Sequence, residues 1–240
     1  MSYDSNNRWS ASANTAIPQV GLDVGLRNYM LRVYNYMAGG LAITGVIAYF
    51  AAASGLYEQI ARTPLIWVVV FAPLGVVLLL SYRLQKMSLG TAQASFWGFA
   101  ALMGLSLSYI FLVYTGASIA QVFFITAATF LAMSLYGYTT KADLSRFGSF
   151  LMMGLIGIII ASLVNIFFAS AAVQFAISII GVIVFTGLTA WDTQRIKEMY
   201  WEGDGGEVAG KKAIMGALAL YLDFINLFIM LMQLMGNRRD

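Results

Sequence analysis

FGSFLMMGLIGIIIASLVNIFFASAAVQFAISIIGVIVFTGLTAW, residues 147–191, runs for 45 residues without a charge. A helix needs ~20 apolar residues to cross a bilayer core of ~30 Å, so this stretch holds two. The break between them is expected near Ala169–Gln174, where small and polar residues interrupt the run. Asp192 ends it, the first charge after Arg146. The rest of the chain is equally sparing with charge. Of its 240 residues 60% are hydrophobic and 10% charged, and the mean hydropathy is +0.77. A soluble domain carries roughly 25% charged residues. The composition therefore predicts an all-α, polytopic membrane protein.

The other spans follow by the same measure. Uncharged runs between Arg32 and Glu58, and between Arg62 and Arg83, predict spans at 34–54 and 64–82. Pro64 sits where a helix tolerates proline, whereas Pro73 is internal and predicts a kink. Between Lys86 and Lys141 lie 54 uncharged residues, which the turn signal Thr115-Gly116-Ala117-Ser118 divides into spans near 91–113 and 118–139. The last run, Ala213 to Asn237, contains one charge, Asp223. Seven helices result.

Loop charges orient them. Arg8, Arg27, Arg32, Arg83, Lys86, Lys141, Arg146, Arg195, Lys197, Lys211 and Lys212 share one side, and only Arg62, Arg238 and Arg239 lie on the other. The positive-inside rule puts the former side, with the N-terminus, in the cytoplasm. Seven full crossings place the C-terminus outside; a last run that dips and returns leaves it inside. Residues 1–25 form a polar cytoplasmic tail without secretory-signal features, and residues 26–240 the transmembrane domain. A stripe of Leu22, Leu26, Tyr29, Met30 and Val33 is expected to lie along the interface and run into the first span. A plain helix extension and a docking surface are the alternatives. The net charge of +3 is sorted by loop, so it marks topology and not a nucleic-acid footprint.

Cysteine and histidine are absent. That excludes disulfides, thiol nucleophiles, Cys/His zinc sites, His-ligated haem and Ser–His hydrolysis. Proton chemistry falls to carboxylates, Tyr, Lys or water. No cofactor and no enzyme activity are expected.

Two carboxyls stand out. Asp192 lies ~14 Å inside the belt marked by Tyr200 and Trp201, and Asp223 ~16 Å past Lys212, at a rise of 1.5 Å per residue. The loop EGDGGEVAG makes their helices antiparallel neighbours, so both acids reach about one depth. A charge there costs ~2.5–3.5 kcal/mol even on lenient insertion scales. Two adjacent anions would cost more, so the pair is expected to share one proton and titrate as a unit. Deprotonated, it offers hard oxygens suited to Ca²⁺, with Asn226 and Thr189 one turn away on the same faces. The structural alternative stays open. Asp192 then pairs with Arg195 at i+3, and Asp223 hydrogen-bonds neighbouring helices.

These residues carry a resemblance. GLTAWDTQRIKEMY (187–200), ALYLDFINLFIMLMQLMG (219–236) and GYTTKADLSRFGSFLMMGLIGIIIASLVNIFF (137–168) resemble the Bax inhibitor family, the transmembrane Bax inhibitor motif proteins, in a bacterial form. The resemblance implies seven helices with the last one central. It also implies a pH-sensitive Ca²⁺ leak gated by Asp192 and Asp223, with Arg83 as a latch on Asp192. An arginine fork can hold a carboxylate through two hydrogen bonds; the alternative for Arg83 is an interfacial topology marker. The second span departs from the family pattern, because VVVFAPLGVVLLL (68–80) lacks the acid that some members carry.

An intramembrane aspartyl protease is a poor match, since Leu-Tyr-Leu-Asp is not Gly-x-Gly-Asp and GDGG (203–206) reads as a turn. A retinal receptor would need a lysine within a span. The main rival is a non-conducting regulator that binds membrane proteases or other integral proteins in stress survival. A proton-coupled carrier is a third reading.

Overall fold

The computed structural model describes residues 19–239. Its helices are α1 (Gln19–Ala53), α2 (Leu56–Ala61), α3 (Leu65–Arg83) with a 3-10 turn at Leu84–Lys86, α4 (Leu89–Leu107), α5 (Tyr109–Val113), α6 (Gly116–Thr139), α7 (Ser145–Phe168), α8 (Ala171–Glu198) and α9 (Gly206–Met235). Among the described residues no strand forms; a single bridge joins Tyr114 to Arg238. Seven helices are long and apolar enough to cross a bilayer, in the order read from the charge gaps. Most of the polar tail lies outside the described residues.

α9 packs on α1, α4, α6 and α8. At 30 residues it is ~45 Å long, enough for a complete crossing. Its far end confirms the path. The Thr115 amide donates to Asn237 O at 3.0 Å, and the Arg239 amide to Val113 O at 2.9 Å. The chain thus ends beside the α5–α6 turn, at the opposite end of the bundle from the α8–α9 loop. The last run does not dip and return.

Small residues set how closely these helices approach. A Cβ on Gly137 of α6 would collide with the Ala190 carbonyl of α8, so the two backbones touch there. α3 and α7 stay peripheral and turn apolar side chains outward, among them Trp67, Ile166, Phe167 and Phe168. In a bilayer that surface faces lipid.

Two local features depart from expectation. The stripe on α1 turns inward, because Tyr29, Met30 and Val33 are buried in the main core against α9 and its neighbours. It is a helix extension rather than an interfacial surface, since the bundle offers these side chains a dry contact; the Leu22 side chain lies outside the described residues. The third span is divided at Ser108, whose hydroxyl donates to Gly104 O at 3.0 Å and competes with the helix ladder.

The α7–α8 break falls where it was expected. Ala169 adopts φ 46°, a left-handed conformation, and the Asn165 carboxamide holds the turn. Asn165 Oδ1 accepts from the Ser170 amide at 3.0 Å, and Nδ2 donates to Ser170 O at 3.2 Å. Alanine in that region costs about 1 kcal/mol relative to glycine. Ala169→Gly should therefore raise the thermal midpoint in detergent by a few degrees; a lower midpoint would show that the turn is not strained.

Candidate functional site

α8 carries Asp192 two residues from the point where the α6 and α8 backbones touch at Gly137 and Ala190. α9 carries Asp223 on its buried face, between Tyr221 and Phe224. α8 and α9 pack along their lengths, and the two carboxyls come within hydrogen-bonding reach of each other. Asp223 is 5% exposed, and its Oδ2 has no donor among the described residues. A carboxyl aimed at a second carboxyl, with no N–H or O–H to stabilise it, calls for a proton between the two.

Arg195 is the nearest cation. Its Nη1 stands 4.0 Å from Asp192 Oδ1, and its side chain is 61% exposed against 14% for Asp192. The guanidinium also lies over the Trp191 ring, 5.5 Å from the centroid. A long, exposed ion pair of this kind contributes little, ~0–1 kcal/mol. The pair with Arg195 and the contact with Asp223 coexist, so the two readings of Asp192 are not exclusive.

Arg83 does not form the implied latch. It is exposed at the end of α3, and among the described residues it pairs with neither aspartate. The physical reason is position: α3 packs chiefly on α4, whereas Asp192 faces α9 and takes its cation from its own helix.

Thr189 and Asn226 flank the pair but bind their own helices. Thr189 Oγ1 donates to Phe185 O at 2.8 Å, and Asn226 Nδ2 donates to Leu222 O at 2.8 Å. Each keeps an oxygen able to accept or ligate. No cluster of three or more acids exists among the described residues. Ca²⁺ takes 6–8 oxygens, so two carboxylates with one amide oxygen leave several positions to water. That donor set fits a passing ion better than a resident one.

Residues that follow Asp192 tie the site to the rest of the bundle, and sequence reading had passed over most of them. Thr193 Oγ1 lies 2.9 Å from Ser134 Oγ, which lies 2.6 Å from Tyr34 OH, a hydroxyl chain from α8 through α6 to α1. Gln194 grips the α6–α7 loop, donating to Ala142 O at 2.8 Å and accepting from the Leu144 amide at 2.9 Å. In the same loop the Ser145 hydroxyl, and after it the Ser145 amide, hydrogen-bond the Asp143 carboxylate and hold it below the usual range. Lys197 donates to Tyr138 O at 2.9 Å. Across the α8–α9 loop Lys212 binds Asp204 Oδ2 at 2.6 Å and Met199 O at 3.0 Å. The available signal was a tight group of polar residues directly after a long apolar run; their partners on α6 are remote in sequence.

A family model described as Inhibitor of apoptosis-promoting Bax1 matches residues 26–240, which takes in nearly all of the described bundle. The chain belongs to this Bax inhibitor family. It is 54% identical over 219 residues to protein RP147 of Rickettsia prowazekii, covering 91% of this chain and 93% of that one. It is 50% identical over 219 residues to the inner membrane protein YbhL of Escherichia coli K12, covering 90% and 94%. A protein of Caulobacter vibrioides is 43% identical over 248 residues, 99% of each chain. As a Bax inhibitor family member this chain is an integral, multi-pass membrane protein in contact with lipid.

Proposed function

We propose that this Bax inhibitor family protein is a pH-sensitive cation leak, with Ca²⁺ the permeant ion and the Asp192–Asp223 pair its gate. The observation that carries the proposal is the Asp223 Oδ2 atom, buried without a donor and set against a second carboxyl. With a shared proton the pair is a hydrogen-bonded plug between α8 and α9. Without it, two carboxylates face each other and attract a hard cation. Ca²⁺ takes the pair only after the proton has left, so binding releases protons and tightens as pH rises. The pair is assigned no catalytic step.

The host membrane is taken to be a bacterial inner membrane, following the relative named for that location. The N-terminus is assigned to the cytoplasm, because the end of the bundle bearing the N-terminus also bears Arg83, Lys86, Lys141, Arg146, Lys197, Lys211 and Lys212. Seven crossings then put the C-terminus outside.

Purified protein in liposomes loaded with a Ca²⁺-sensitive dye, assayed from about pH 5 to about pH 8, tests the reading. A pH-dependent Ca²⁺ flux above that of protein-free vesicles is expected. No flux at any pH, together with copurification of a membrane protease, would favour the non-conducting regulator in stress survival.

A further inference from the structure

A groove between α1 and α4, at the positively charged end, takes no part in this site. Asn28, Leu31, Arg32, Asn35 and Tyr36 recur at helical spacing on one face of α1, and Trp97 of α4 forms the opposite wall around about 390 Å³. Tyr36 packs on Trp97 with ring centroids 5.6 Å apart. Arg32, one turn before Tyr36, therefore stands near the level where α4 begins, at the end of the apolar band.

The polar groups here are rich in donors. Arg32 presents a guanidinium fork and forms no ion pair with any described residue. Asn28 and Asn35 lie one turn to either side of it and are exposed. Tyr36 OH accepts from Gln93 Nε2 at 2.5 Å, which leaves its own O–H free to donate. No carboxylate lines the groove. Leu31 and Trp97 supply apolar surface beside these donors, so the groove is cationic on its aqueous side and apolar toward the membrane.

We propose that this groove binds an anionic phospholipid, with its phosphate on Arg32 and the adjoining carboxamides and its acyl chain against Trp97. Arginine suits the task because its fork matches two phosphate oxygens at once. A lipid is chosen over free phosphate because the apolar wall continues from the donors into the bilayer zone, where a soluble anion gains nothing.

The test follows thermal unfolding of the full-length protein in neutral detergent while phosphatidylglycerol, phosphatidylcholine or inorganic phosphate is added. Phosphatidylglycerol should raise the midpoint saturably, and the other two should not. Arg32→Ala should weaken half-saturation by roughly tenfold or more, as loss of a charge-assisted contact does. Arg32→Lys should fall between, and Arg146→Ala, an exposed cation at the same end, should match wild type. Asn35→Asp, which sets an anion beside the phosphate, should weaken binding as well and serves if Arg32→Ala proves unstable. Equal responses of wild type, Arg32→Ala and Asn35→Asp would overturn the proposal. So would an equal effect of phosphatidylcholine or of inorganic phosphate alone.

Discussion

Asp223→Asn is expected to abolish the pH dependence of Ca²⁺ leak in reconstituted vesicles, and Asp192→Asn to do the same. Each change suffices under the proposed gate, because a proton shared between two neighbouring carboxyls is lost when either one is replaced. Asparagine keeps the shape of aspartate and can donate an N–H to the remaining carboxylate, so it imitates the shared proton permanently. If loss of the shared proton lowers the barrier to the ion by ~1.4 kcal/mol, the wild-type rate changes about tenfold across the titration. The variants should change by less than about twofold across the same range. Arg83→Ala should leave the resting leak as it is, because Arg83 is exposed and pairs with neither acid. Dye-reported flux at a series of pH values measures all three; a wild-type slope in either asparagine variant would remove the pair from the gate.

Gly137→Ala should be the most damaging of the conservative changes outside the pair. The added methyl would meet the Ala190 carbonyl, and a backbone atom cannot rotate away as a side chain can. α6 and α8 would have to separate, straining the Ser134–Thr193 contact one turn further along. Overpacking of this kind costs about 1–3 kcal/mol. The thermal midpoint in detergent should fall by several degrees. Gly157→Ala on α7 is the control, since nothing lies within 4 Å of the added methyl. Equal midpoints for the two variants would show that the close approach does not matter.

The extent of what sequence could reveal has physical limits that particular residues illustrate. Span number and order were legible because membrane thickness sets helix length, and charge marks where a span must stop. That α8 and α9, which carry Asp192 and Asp223, are packed neighbours was legible too, from the short polar loop that joins them. Facing direction was not. Tyr29, Met30 and Val33 form a stripe that would suit lipid or protein equally, and only the packing of α9 decides for protein. Arg83 sits at the right end of the bundle for a latch, yet helix neighbours determine its contacts and α3 packs elsewhere. Thr193 and Gln194 acquire their roles from Ser134, Ala142 and Leu144, some fifty to sixty residues away. The division at Ser108 depends on one hydroxyl choosing a backbone carbonyl, a choice that composition does not express.

The relation between the two acids can be read spectroscopically. Infrared titration of the Asp223 carboxyl band, in wild type and in Asp192→Asn, reports whether the two groups share a proton. Coupling predicts that removing the Asp192 charge moves the midpoint of that band by more than about one pH unit. An identical midpoint in both proteins would mean that Asp223 titrates alone, contradicting the shared-proton gate.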